Sequence, residues 1–197
     1  MRLNRKNYPT ALVIFLIAVL AVGLGFLADF LITCLEKSAY PQEYAEYVEV
    51  YAERYGVPEE LVFAVIRTES DFDSGAVSGA GAVGLMQIMP STFEWLTDEI
   101  LFDHLESGML YDPETNVRYG TYYLSYLYDR YGDWDLALAA YNGGLGNVDK
   151  WLADERYADG EGSLKRIPFK ETRQFVKRVN RARAKYEKLY ENETKNK

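Results

Sequence analysis

Glu69 is the first residue whose type and spacing suggest chemistry. It falls four residues after Val65, three after Ile66 and seven after Val62. These are helical spacings, and they put its carboxyl on an apolar face. A carboxyl held there is partly stripped of water, and desolvation disfavours the anion. The C-terminal end of a helix, where Glu69 falls, disfavours negative charge as well. Both effects raise the pKa toward the value a general acid needs. An exposed glutamate at a fraying helix end fits the same periodicity, so spacing alone leaves both readings open.

A glycine-rich stretch follows, from Asp71 to Gly84. Gly79-Ala-Gly81-Ala-Val-Gly84 matches G-x-G-x-x-G letter for letter. A dinucleotide fingerprint needs a preceding strand and a βαβ unit, and here a helix precedes. The small residues suit a close approach of backbone to an extended ligand instead. Gln87, three residues on, has an amide to offer either to such a ligand or to the loop's own backbone. Tyr141-Asn142 sits at the end of an apolar helix, before Gly143-Gly144. The phenol can bond a sugar or a carboxyl. A core tyrosine beside a C-capping asparagine is the equally simple alternative.

The elements that must position these groups read as helices. Pro41 opens one that Gly56 stops. Pro58 opens the next, with Glu59 and Glu60 at its positive end, running to about Ser70. Pro90 begins a short one to about Leu96. Asp112-Pro113 begins a long one to Gly132, and Asp133 caps another that ends at Gly143-Gly144. Tyr157 to Ser163 reads as loop, and Pro168 starts a last helix to about Tyr190. No stretch sustains a period of two. The expectation is one all-α domain over residues 40–190, with a frayed tail over 191–197.

Composition narrows the classes. The chain has 197 residues and a net charge of −8, which argues against nucleic-acid binding. One Cys and one His exclude a disulfide framework and a Cys/His zinc site, and leave His104 as the only histidine base. No metal or cofactor is expected. The 17 tyrosines serve either core packing or sugar stacking, with packing the default.

Residues 1–10 are basic through Arg2, Arg5 and Lys6, and residues 11–35 are apolar except for Asp29. This is read as a single membrane-spanning anchor. Its basic end lies in the cytoplasm and the rest of the chain outside. A cleaved signal sequence and a lipid-modified Cys34 are the alternatives.

Four segments, in order, carry a family resemblance: Ile66-Arg-Thr-Glu-Ser70, Ser78-Gly-Ala-Gly-Ala-Val-Gly-Leu-Met-Gln-Ile-Met-Pro90, Ala140-Tyr-Asn-Gly-Gly144 and Ile167-Pro-Phe-Lys-Glu-Thr-Arg173. Together they resemble the lytic transglycosylases of the soluble type, relatives of goose-type lysozyme. The resemblance implies a lysozyme-like helical fold acting on peptidoglycan glycan strands. It implies cleavage of the β-1,4 bond between N-acetylmuramic acid and N-acetylglucosamine, with a 1,6-anhydro product. Glu69 would be the single catalytic acid and base. Ser78, Gln87, Met89, Tyr141, Asn142 and Glu171 would line the substrate cleft, and Arg67 would lie near the catalytic residue. A departure is the helix-end run Tyr141-Asn-Gly-Gly-Leu-Gly146, within which many relatives have Ala then Pro. A hydrolytic muramidase, with Asp71 or Asp73 holding a water, and a non-catalytic glycan-binding scaffold are the alternative functions.

Overall fold

The computed structural model describes residues 9–194. It divides between Pro41 and Gln42 into two compact units.

The first unit is one helix, α1 (Thr10–Ala39), which runs unbroken through Asp29. Its thirty residues reach about 45 Å at the usual helical rise. Large apolar side chains from Leu12 to Leu35 are exposed along it. The stretch Leu12–Ala39 is long and apolar enough to cross a bilayer. Arg2, Arg5 and Lys6 lie outside the described residues.

The second unit is helical. Its elements are α2 (Ala45–Tyr55), α3 (Glu59–Glu69), α4 (Pro90–Trp95), α5 (Pro113–Tyr131), α6 (Trp134–Gly143), α7 (Leu145–Leu152) and α8 (Lys170–Thr194). Among the described residues there is no strand, only isolated antiparallel bridges. α2 starts later than Pro41, because Tyr44 takes a left-handed conformation at φ +61°. The two aspartate caps form as their positions imply. Asp112 accepts from the Thr115 amide at 2.8 Å and Asp133 from the Leu136 amide at 2.8 Å.

Three elements go beyond the expected helices. A π-helical turn (Leu96–Ile100) extends α4, and a 3-10 turn (Ser107–Tyr111) precedes α5. The third is α7. Gly143-Gly144 ends α6, but the chain restarts at once, with Gly144 at φ +86° serving both helices. The apolar spacing of Leu145, Val148, Trp151 and Leu152 was the available signal. α8 continues past Tyr190 to Thr194, and residues 195–197 lie outside the described ones.

α3 lies at the centre. Leu61 through Ile66 are all buried, as expected of a helix apolar on every side. It packs chiefly on α8 and also on α2, while α5 packs on α2 and α6, and α6 on α7 and α8. Phe63 stacks on Tyr186 with ring centres 5.5 Å apart, and Arg183 pairs with Glu60 at 3.2 Å at the partly buried edge of this contact. Burial of α3 on all sides fixes its C-terminal end, and Glu69 with it.

Candidate active site

Glu69 is the last residue of α3 and is half-buried. Burial pushes its carboxyl up from 4.5 to about 7; the Arg178 guanidinium opposes this and the Glu171 carboxylate adds to it. Tyr141 also lies in its field. Burial first, then the Glu69 carboxylate, holds the phenol well above the ordinary tyrosine value. Glu69, Tyr141, Glu171 and Arg178 therefore share one electrostatic neighbourhood, drawn from α3, α6 and α8.

Facing this group is the loop from Asp71 to Met89. It has little regular structure and is held from outside. Val83 bridges both Val77 and Ile88, which folds the loop back on itself. Ser70 donates its hydroxyl to the Leu85 carbonyl at 2.7 Å, tying the loop to the residue after Glu69. Asn116, fully buried on α5, accepts from the Met86 amide at 2.8 Å and donates to the carbonyls of Val83 at 2.9 Å and Leu110 at 2.8 Å. Tyr141 donates to the Met86 carbonyl at 2.7 Å.

Two glycines make this approach possible. A Cβ on Gly84 would lie 2.2 Å from the Asn116 amide nitrogen and 2.6 Å from the Leu110 carbonyl, and its φ is +79°. A Cβ on Gly120 would lie 2.4 Å from the Met86 sulfur. Gln87 takes a left-handed φ of +48° between these anchors. So Gly79 to Gly84 forms a bridged loop after a helix, with no strand before it.

The structure distributes the other sequence candidates as follows. Gln87 donates its amide nitrogen to the carbonyls of Ala76 at 3.1 Å and Gly84 at 2.9 Å, so it satisfies loop backbone. Ser78 accepts from the Ala82 amide at 3.0 Å, which shapes the glycine turn. Met89 is exposed at the loop's exit, and Glu171 is exposed on the first turn of α8. Arg67 pairs with Asp71 at 3.1 Å, one turn further on. Asn142 is half-buried. The amide that bonds the Gly143 carbonyl, at 2.7 Å, belongs to Asn147. Tyr141 sits in an aromatic row, 5.4 Å from the Tyr123 ring and stacked 6.5 Å from Phe175, with Trp95 edge-on to Tyr123 at 6.3 Å. At least here, the tyrosines pack against one another.

Sequence reading missed Arg178 and Asn116. Arg178 lies seven residues after Glu171, two turns along one helix, so the signal was present once Glu171 was in view. Asn116 stands four residues before Gly120 on a face that also carries Val117 and Leu124. A lone amide amid apolar neighbours was its only trace.

Comparison with known proteins covers the first three of the four segments by family model. A family model described as the transglycosylase SLT domain matches residues 46–163. The soluble lytic murein transglycosylase of Escherichia coli K12 is 37% identical over 143 residues, covering 71% of this chain and 22% of that protein. The membrane-bound lytic murein transglycosylase C of Edwardsiella ictaluri is 30% identical over 177 residues, covering 79% of this chain and 49% of that protein. The crystal structure of the 70 kDa soluble lytic transglycosylase from Escherichia coli matches with a TM-score of 0.70 at 34% identity, over 78% of this chain and 25% of that one. An inactive glutamate-to-glutamine mutant of Slt from Pseudomonas aeruginosa matches at 0.68 and 35%, over 78% of this chain and 25% of that one. The chain thus spans about a fifth to a half of the length of these relatives. The family model spans more than half of the chain and the structural match 78% of it, so the fold is lysozyme-like and the chain belongs to the transglycosylase SLT domain family.

Proposed function

We propose that this protein is a peptidoglycan lytic transglycosylase in which Glu69 is the only acid and base, held to the cell membrane by α1 as a single-pass anchor. The observation that carries the reading is the Glu69 carboxyl itself, pushed up to about 7 at the fixed end of a buried helix. At neutral pH such a group is divided between acid and base forms, as both halves of the reaction require.

The steps balance without water. Protonated Glu69 gives its proton to the glycosidic oxygen, and the bond from that oxygen to C1 of the muramic acid breaks. The carbonyl oxygen of the substrate's own N-acetyl group closes on C1. The Glu69 carboxylate then takes the proton of the 6-hydroxyl, whose oxygen attacks C1 and releases the N-acetyl oxygen. The product is the 1,6-anhydro sugar, and Glu69 ends protonated. An intramolecular nucleophile has a high effective concentration, so no second carboxylate is needed to hold water.

The surroundings agree with this route. Asp71, a candidate to hold water, pairs with Arg67 and is largely exposed, and Asp73 accepts from the Gly75 amide at 2.9 Å. Gln87 spends its amide nitrogen on the loop, which leaves the amide oxygen for a sugar donor. In the Pseudomonas relative, inactivity accompanies the loss of a single carboxyl oxygen. Membrane attachment is supported by the length and apolarity of α1 and by a relative described as membrane-bound.

The test is digestion of purified peptidoglycan by the full chain in detergent, with E69Q beside it. Products are read by mass spectrometry without prior reduction. Anhydromuramic ends that disappear in E69Q are the expected result. Reducing ends would make the protein a muramidase. Binding without cleavage would make it a scaffold.

A further inference from the structure

Asp29 is the one charged residue inside the apolar run of α1. Four large apolar side chains follow it, Phe30, Leu31, Ile32 and Leu35, all exposed on the helix. Setting Asp29 at the membrane surface would lift all four out of the hydrocarbon, so the carboxyl stays within it. It lies six residues before Leu35, about 9 Å inside that end of the run. A carboxyl there loses its water and is held only where another group pairs with it.

α1 has no cation of its own to offer. None falls between Lys6 and Lys37, and Lys37 stands eight residues beyond Asp29, about 12 Å along the axis. The space beside the carboxyl is shaped, however. Val22, Gly25, Phe26 and Asp29 line a depression of about 310 Å³. Their spacing of three, four and seven residues puts them on one face. Gly25 is not required by the packing of α1 itself, because a Cβ there would meet nothing within 4 Å. It lowers the helix surface one turn from Asp29, so another helix can approach closely.

Charge decides which helix. Copies of this chain inserted in the same direction bring Asp29 against Asp29 at equal depth, and like charges in hydrocarbon repel. A cation at that depth satisfies the carboxyl and has its own charge satisfied in return.

We propose that Asp29 and the depression beside it seat a membrane-spanning helix of a different protein, one that carries a lysine or arginine at the same depth. The inference rests on the part of the proposed function that makes α1 an anchor. It makes the anchor selective: the partner helix fixes where in the membrane the chain is held.

The test uses the full chain in phosphatidylcholine vesicles, with a donor dye on Cys34, its single cysteine. Cys34 is exposed and lies about 140° round the helix from Asp29. The probe is an acceptor-labelled membrane-spanning peptide of leucines with one lysine six residues from its matching end. The same peptide with leucine in that place is its control. Energy transfer should show the wild type binding the lysine peptide about tenfold more tightly than the control. D29N should lose that preference. G25L keeps the carboxyl but fills the depression, and should reduce the preference severalfold. No preference in the wild type, or an unchanged one in D29N or G25L, overturns the inference. Self-association of donor- and acceptor-labelled chains that D29N weakens makes the occupant a second copy and overturns it as well.

Alkaline carbonate extraction of the same vesicles separates the two readings. If the chain is extracted, α1 is not an anchor, and the inference falls with that part of the proposed function. If the chain is retained and shows no preference, the inference alone falls.

Discussion

Tyr141 donates its hydroxyl proton to the Met86 carbonyl at 2.7 Å while standing in the field of the Glu69 carboxylate. The proton is committed to the loop, so the phenol's part at the site is to fix the loop against α6. Tyr141→Phe removes that bond and leaves a carbonyl without a partner. The expected cost is about 1–2 kcal/mol of stability. Activity should fall while the position of the pH profile changes little, because Glu69 keeps its burial. Chemical denaturation and a pH–rate series on Y141F check both parts.

Glu69→Gln separates function from stability. It should lower cleavage by at least about a thousandfold, as loss of a general acid does. Its effect on stability has a definite sign. An unfolded glutamate ionises near 4.5, whereas folded Glu69 keeps its proton up to about 7. The folded state therefore holds the extra proton between those values, and wild-type stability falls as pH rises through that window. Glutamine has no charge to bury. E69Q should match the wild type near pH 4 and exceed it near pH 8 by about 2 kcal/mol, after discounting for solvent that still reaches the side chain. Thermal melts at the two pH values check this.

Arg178 and Glu171 should move the pH profile in opposite directions. The rate should decline above about pH 7 as Glu69 loses its proton. Arg178→Gln removes the charge that favours the anion, so the alkaline limb moves to higher pH. Glu171→Gln removes the charge that disfavours it, so the limb moves to lower pH. Limbs that coincide in all three proteins would show that Glu69 does not govern the profile.

Gly84→Ala tests the loop's anchoring. The added methyl meets the Asn116 amide and the Leu110 carbonyl, at a backbone angle that alanine rarely adopts. A loss of more than about 3 kcal/mol is expected. Asn116→Ala should cost about 3–5 kcal/mol, because it strands one amide and two carbonyls in the interior. Denaturation midpoints for both variants measure this.

Most of the helical frame was legible in the sequence because its punctuation is strong. Pro58, Asp112, Asp133 and Gly132 each mark a boundary by a mechanism that survives in the folded chain. α7 was not legible, because a Gly-Gly pair that ordinarily ends a helix here also begins the next. The electrostatic setting of Glu69 was legible from its spacing to Val62, Val65 and Ile66. Arg178 was hidden by a lack of contrast. It stands among many cations of α8, and its two-turn spacing from Glu171 is the one mark in the sequence that sets it apart. Gln87 shows the limit of residue type: its amide suited a ligand and a loop equally, and the fold decided.

The loop opposite Glu69 is tied to three helices across sequence separations that grow stepwise: 15 residues to Ser70, 30 to Asn116 and 55 to Tyr141. A chain made from its N-terminus has Glu69 long before it has Tyr141, and closing each longer loop carries its own entropy cost. The setting of Glu69 closes later still, because α8, which carries Glu171 and Arg178, is joined to α3 across 123 residues between Arg183 and Glu60. A half-folded molecule therefore holds the Glu69 carboxyl without the loop tie and without the two charges that act on it. Under the proposed function, that order of assembly withholds the activity until the domain is complete.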